Sequence, residues 1–429
     1  MRARVLIALT LAWVASTPVS SELDGQVNPG DSVAAAGQLR EPGSELRVWL
    51  LTFGQGDVVW ELFGHNALRV LNTETGRDAS YNWGIFDFNQ PGFVPRFLKG
   101  EMLYMMAPFA TQAMIDVYAA ADREVVMQEL ALTPAQRLRL LTLAETNALP
   151  ENRDYAYDPL LDNCSTRVRD LIDQVLEGAL FAQLGDVEAG NSYRTHIRRL
   201  TEADPIAFVA TNYVLGSPGD QTIGIWEEMF VPMVLRDAIR DVVVTDEDGS
   251  QVPLVMSEEV VVPSSRVAEP DRAGSWLLRY LLLGSLMGGL LAWLGRRAAG
   301  GARAIRVLFG AIASGWSLLA GVSGTVLFFV LFTDHWSMGM NENLLLLNPL
   351  SMLLVVLVPM ALLGRPQAAK RARAVGYSAA GLAALGLLVQ VLPVTEQHTG
   401  MLFALFLPVH VGLAHALRGL ESDVLSGSA

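Results

Sequence analysis

After Pro270 the chain carries five apolar runs, at about 276–295, 307–333, 344–363, 375–394 and 400–417. A helix of roughly 20 apolar residues crosses the hydrocarbon core of a bilayer. This half therefore reads as a transmembrane bundle of about five helices over residues 275–418, with 419–429 as a cytoplasmic tail. The connections differ in charge. Arg296, Arg297, Arg303 and Arg306 follow the first run, and Arg365, Lys370, Arg371 and Arg373 follow the third. The loops DHWSMGMNEN and TEQHTG hold no Lys or Arg. Basic loops stay in the cytoplasm, which puts everything before residue 270 outside. Gly284 and Gly288 form a small-xxx-small pair suited to close helix packing. His335 and His398 fall in the outer loops and are candidates for contact with substrate on that side; His410 and His415 lie in the last run.

The N-terminus agrees with this topology. MRARVLIALTLAWVASTPVSSE has Arg2 and Arg4, an apolar core from Val5 to Ala15, and small residues at Val19-Ser20-Ser21. That is the pattern of a secretory signal peptide over residues 1–21. Residues 22–45, rich in Gly, Pro, Ser and charge, form a linker, and 46–270 form the exported domain. A net charge of −13 argues against a nucleic-acid partner, which needs a basic surface.

Within the exported part, LRVWLLTF (Leu46 to Phe53) reads as a buried strand and GDVVWELFG as a helical turn or two. HNALRVL (His65 to Leu71) and SYNWGIFDF (Ser80 to Phe88) read as strands of a hairpin around NTETGRD. Val125 to Leu132 is a further strand. It leads into a helix with Thr133 as N-cap, Pro134 in the first turn and Gln136 at the capping-box position, ending near Asn147. A second helix runs from Cys164 or Ser165 to about Glu177. This non-alternating order of strands and helices predicts an α+β domain.

Cys164 is the only cysteine, so no disulfide can form within the chain and the thiol is free. At a helix N-terminus, with Arg167 and Arg169 close in sequence, the dipole and backbone N–H groups favour a thiolate. Cys164 is either a buried inert cysteine or a nucleophile, and in the second case its proton acceptor is drawn from the exported histidines, His65 and His196, of which His65 is otherwise an ordinary strand histidine. His65 opens a strand after Gly64, whereas His196 lies in SYRTHIRRL, which reads as a solvated face. Arg69 shares His65's strand face by alternation and is either an anion-binding group or an ordinary salt-bridged Arg. There is no HExxH and no paired cysteine, so no metal is expected, and GQG at Gly54 to Gly56 lacks the GK[ST] of a phosphate loop. No cofactor is implied.

The stretches LTFGQGDVVWELFGHNALRV, YNWGIFDF, PENRDYAYD and DNCSTRVRD resemble the exported domain of the Lnb family, bacterial lipoprotein intramolecular N-acyltransferases. The resemblance continues through LGSPGD and MFVPMVL, around Leu215 to Leu235, and into HWSMGMNENLLLLNPL in the membrane half. It implies a permuted papain-like fold, of the LRAT and NlpC kind, in the bacterial inner membrane with the catalytic domain on the periplasmic side. It further implies transfer of an acyl chain from the diacylglyceryl group of a lipoprotein to the α-amine of its N-terminal cysteine. Cys164 is then the nucleophile and His65 its base. Asn82 on the following strand is the residue expected to orient His65, with Tyr81 and Glu61 behind it. Asn163 and the Cys164 N–H would hold the oxyanion, Arg167 would help position substrate, and Asn152, Arg153, Tyr155 and Tyr157 would surround the nucleophile. Trp226 to Leu235 is either an interfacial segment or core. The partners implied are a diacylglyceryl lipoprotein and membrane lipid. Two other readings compete: a membrane-tethered cysteine amidase or peptidase acting on the cell wall, and a membrane assembly protein without activity.

Overall fold

The structure, a computed structural model, describes residues 40–87, 90–299, 301–392 and 396–426; the expected signal peptide and most of the linker lie outside them. The exported part is built on a seven-stranded sheet whose paired strands are all antiparallel. Its strands are β1 (Leu46–Phe53), β2 (His65–Asn72), β3 (Asp78–Ile85), β4 (Leu103–Ala110), β5 (Val125–Leu130), β6 (Asp154–Ala156) and β7 (Val255–Val262). In space they run β7-β5-β1-β2-β3-β4-β6. With α1 (Phe93–Lys99), α2 (Thr111–Ala120), α3 (Pro134–Ala148) and α4 (Cys164–Val175), this is the expected α+β architecture.

Alternation along the strands gives the sheet two apolar faces. Leu46, Val48 and Leu50 of β1, Leu68 and Val70 of β2, and Tyr81 and Trp83 of β3 pack with Leu140 and Ala144 of α3 and Val168, Ile172 and Val175 of α4. On the other face Leu51, Phe53, Ala67 and Val125 meet Met114, Ile115 and Tyr118 of α2. The sheet is thus a middle layer, and α4 lies on one side of it.

Several element ends differ from the sequence reading for local reasons. β3 ends at Ile85, its ladder to β4 is irregular between Asn82 and Ile85, where Gly84 takes φ +89°, and Phe88, the expected end, lies outside the described residues. Helix α4 stops at Val175, two residues short of the expected end, and Glu177 takes a left-handed φ of 57°. The stretch around Trp60 forms a single 3-10 turn, Val59–Glu61. The Thr133 capping box is present as expected, with Gln136 N–H donating to Thr133 Oγ1 at 3.3 Å and Thr133 N–H to Gln136 Oε1 at 2.9 Å.

Beyond α4, helices α5 (Tyr193–Thr201) and α6 (Pro205–Val214) lead to the bundle. The SYRTHIRRL face is not solvated: Arg194, His196 and Arg199 are buried. Arg194 is tolerated there because each of its three nitrogens donates, to Asp220 (2.8 Å) and to the carbonyls of Asn212, Leu215 and Gly216. Trp226 to Leu235 likewise contributes core, with Met229, Phe230, Val231 and Leu235 buried.

Among the described residues five helices are long and apolar enough to cross a membrane: Leu277–Ala298, Arg303–Val330, Asn343–Leu362, Pro366–Val389 and Gly400–Ser422. The last helix continues to Ser426, through most of the residues expected as a tail. The loops without Lys or Arg are the ones that meet the exported part. Asn341 Nδ2 donates to the carbonyls of Tyr213 (3.0 Å) and Val214 (2.9 Å), and Asn343 Nδ2 to that of Tyr213 (2.9 Å). Trp336 Nε1 donates to Asp158 at 2.6 Å.

Gly284 and Gly288 of the first span lie directly against the fifth, as the small-residue pattern implies. A Cβ at Gly284 would overlap the Leu405 carbonyl and one at Gly288 the Pro408 carbonyl, whereas one at Gly289 meets nothing within 4 Å. Gly288→Val is therefore expected to lower the melting temperature of the detergent-solubilised protein by several degrees, with Gly289→Ala near wild type. Equal melting of the two variants would contradict this packing.

Candidate active site

Cys164 is the first residue of α4, and Asn163 in front of it sets the start of that helix. Asn163 Oδ1 accepts from the N–H of Ser165 (2.8 Å) and Thr166 (3.0 Å), and Thr166 Oγ1 accepts from the Asn163 N–H at 2.8 Å. The Asn163 amide donates to the carbonyls of Pro159 and Phe230, both at 2.9 Å. Both its hydrogens are thereby used. Asn163 is a cap and tether, and the oxyanion role expected for its side chain has no donor left to perform it.

The site lies where β2 begins and β3 ends. Gly84 passes beside the nucleophile; a Cβ there would stand 3.6 Å from that of Cys164 and 3.8 Å from the Tyr157 ring. On the other sheet face His65 stacks near Phe53 and Tyr118, with ring centroids 5.8 and 6.5 Å away. Asn82, as expected, meets His65, Oδ1 to Nε2 at 3.1 Å. Because Asn82 Nδ2 donates to the Ser80 carbonyl at 2.9 Å, Oδ1 is the atom that faces the ring. It accepts the Nε2–H, which leaves Nδ1 as the basic nitrogen of His65.

Electrostatics at this corner are set by burial. Burial pushes the Cys164 thiol up to about 11, against backbone N–H groups of Asn66, Cys164 and Ser165 and the charge of Arg123, all of which favour the thiolate. The helix N-terminus acts in the expected direction and is outweighed, so the resting group is a thiol. Burial also pulls His65 down to about 4, opposed by the Asn82 hydrogen bond and helped by Arg123. The resting pair is therefore neutral on both members. Asn66, whose N–H faces the sulfur, is the residue after His65, which ties the nucleophile to the His65 end of β2. Burial raises Tyr118, Tyr155 and Tyr157 as well, and the Cys164 charge adds to each rise.

Other expected site residues are engaged elsewhere. Arg69 makes a bidentate pair with Asp78 (2.9 and 2.6 Å) over the Trp49 ring, the salt-bridged alternative. Tyr81 lies on the sheet face that packs against α3 and α4, away from His65 and Asn82, and donates to Glu145. Arg167 pairs with Asp162 and lies 4.3 Å over the Tyr155 ring. Glu61 pairs with Arg123 at 3.5 Å. Asn152 donates to the Thr146 carbonyl and Arg153 pairs with Asp154, both at the end of α3. His335 and His398 sit at the junction, on the Phe97 carbonyl (2.9 Å) and 3.5 Å from Asp220. No group of three metal-ligating side chains occurs among the described residues.

Sequence reasoning missed Arg123 and Tyr118. Arg123 is buried, donates to the Gly54 carbonyl at 2.9 Å and covers the Tyr118 ring at 4.5 Å. Nothing in ADREVV marks this Arg off from a surface residue at a strand start. A thiol held near 11 carries about a hundredfold less thiolate at pH 8 than one near 9. Alkylation of Cys164 by a small haloacetamide should be slower than that of a free thiol by about that factor, and should still be rising at pH 10; a plateau below pH 8 would contradict the burial effect.

Residues 40–202 match the family model described as the Lnb N-terminal periplasmic domain. The matched segment holds Cys164, His65 and Asn82; the resemblance around Leu215 to Leu235 and in the membrane half lies beyond it. Comparison with curated proteins and with solved structures returns no match.

Proposed function

We propose, from the membership of residues 40–202 in the Lnb N-terminal periplasmic domain family, that this multi-pass membrane protein is a cysteine-dependent acyltransferase of the inner membrane. Its reaction moves an acyl chain from the diacylglyceryl group of a lipoprotein to the α-amine of that lipoprotein's N-terminal cysteine. The observation that carries the reading is the His65 Nε2–Asn82 Oδ1 contact, which frees Nδ1 as a base, together with a cysteine at a helix N-terminus whose sulfur faces the N–H of Asn66, the residue after His65. A papain-like permutation, with the histidine strand before the cysteine helix, belongs to the same reading. So does an orientation with the basic loops in the cytoplasm.

In the first half-reaction His65 Nδ1 takes the Cys164 proton as the sulfur attacks the ester carbonyl. Starting from a neutral pair, His65 acts as a general base, not as half of a resting ion pair. The N–H groups of Asn66 and Cys164 receive the developing oxyanion. Collapse forms the thioester, and the glyceryl oxygen leaves with the proton from His65. In the second half the lipoprotein α-amine attacks the thioester, His65 accepts its proton, and the amide forms as the thiol is restored. Arg123, buried nearby, stabilises negative charge on sulfur. No nucleotide or metal is needed, because a thioester acylates an amine readily. Water has to be kept from the thioester, and burial against a bilayer serves that purpose.

Mass spectrometry of a diacylglyceryl lipoprotein incubated with the purified protein tests this. The expected product has unchanged mass, with fragments placing an acyl group on the α-amine, and is absent with Cys164→Ala. Loss of an acyl chain without N-acylation would indicate a thiol lipase instead. No change would overturn the assignment and favour peptidoglycan as substrate. Asn82→Ala should lower kcat by at least roughly tenfold while leaving the melting temperature within a few degrees, because it loosens the ring without removing it.

A further inference from the structure

Helix α1 has no buried residue, although its sequence, FVPRFLK, is largely apolar. Val94, Phe97 and Leu98 are 63%, 46% and 48% exposed. The Val59–Glu61 turn has none buried either, and Trp60 is 61% exposed. Apolar side chains exposed at the surface in this way mark places that meet something other than water.

Attachments of α1 identify what that is. The Lys99 carbonyl accepts from the Asp334 N–H at 2.8 Å, and the Phe97 carbonyl meets His335 Nε2 at 2.9 Å. Asp334 lies four residues past Val330, the end of the second span, where Phe328, Phe329 and Phe332 are exposed. Seven helical residues extend only about 10 Å, so all of α1 stays near the level where that span leaves the hydrocarbon. Arg96 and Lys99 supply heads for the polar boundary. From the turn, an aromatic series leads inward. Trp60 contacts Phe86 (centroids 6.3 Å), Phe86 contacts Tyr104 (5.3 Å), and Tyr104 stacks on Tyr157 (4.0 Å), which flanks Gly84 beside Cys164.

We propose that α1 and the Val59–Glu61 turn lie in the leaflet on the exported side and form the port by which an acyl chain passes from the bilayer to Cys164. The occupant is lipid hydrocarbon. Immersion rests on the spans and the exposed side chains; the use of the port for acyl transfer rests on the function proposed above.

Two measurements on the full chain in phospholipid nanodiscs test it without requiring turnover. In a Cys164→Ala background, nitroxide labels at Val94→Cys, Leu98→Cys and Trp60→Cys are compared with Phe332→Cys as lipid reference and Glu247→Cys as water reference. The ratio of relaxation by oxygen to that by a water-soluble nickel complex should match Phe332 and exceed Glu247 by at least threefold; values equal to Glu247 overturn immersion. With Cys164 intact, a dodecyl maleimide should alkylate it at least tenfold faster than a charged maleimide, and Val94→Glu with Leu98→Glu should remove most of that preference. Equal rates for both reagents in the wild type, or an unchanged preference in the variant, overturn the port. Failure of the lipoprotein reaction with both results intact would overturn the substrate and leave the port standing.

Discussion

One side chain holds the position of Cys164. Asn163 accepts two backbone N–H groups of α4 and donates to two carbonyls, one in the loop before it and one at Phe230. Two chain segments remote in sequence, the stretch from Pro159 to Thr166 and the one at Phe230, thereby meet at the residue before Cys164. Alanine there removes a cap, at a cost of about 1 kcal/mol, and also leaves the buried Phe230 carbonyl without that donor. The sulfur's place against Gly84 and the Asn66 N–H follows from this anchor.

Burial and reactivity pull in opposite directions at the same corner. The dry site raises Cys164 and lowers His65, so the resting pair holds no charge. That suits a chemistry in which charge is wanted only during attack and in which a thioester has to outlive contact with water. Arg123, the nearby buried cation, favours thiolate without needing His65 to be protonated beforehand.

The bundle is fastened to the loop that leads into Cys164. Trp336, in the loop after the second span, donates to Asp158, whose other oxygen accepts from Leu160 and Leu161 just ahead of Asn163. Asn341 and Asn343 lock the same loop to the end of α6. The polar residues of HWSMGMNEN are thus explained by backbone carbonyls at the end of a helix, which have no partner within it. A five-helix bundle so attached does more than tether the part before residue 270; it holds the loop in front of Cys164 in place.

What the sequence by itself determined was whatever depends on local pattern. Apolar length gave five spans, Thr133-Pro134 and Gln136 gave a helix start, and Gly284 with Gly288 gave a close helix contact. Cys164, His65 and Asn82 were legible because a helix N-terminus, a strand start and the following strand are local signals, and the resemblance joined them. Tertiary structure decided what depends on neighbours distant in the chain. It turned Asn163 from oxyanion donor to tether, paired Arg69 with Asp78, buried SYRTHIRRL through Asp220, and brought Arg123 to the site. It also reversed the expected state of the thiol, because a helix dipole can be read from one position, whereas desolvation is summed over every segment that closes around it.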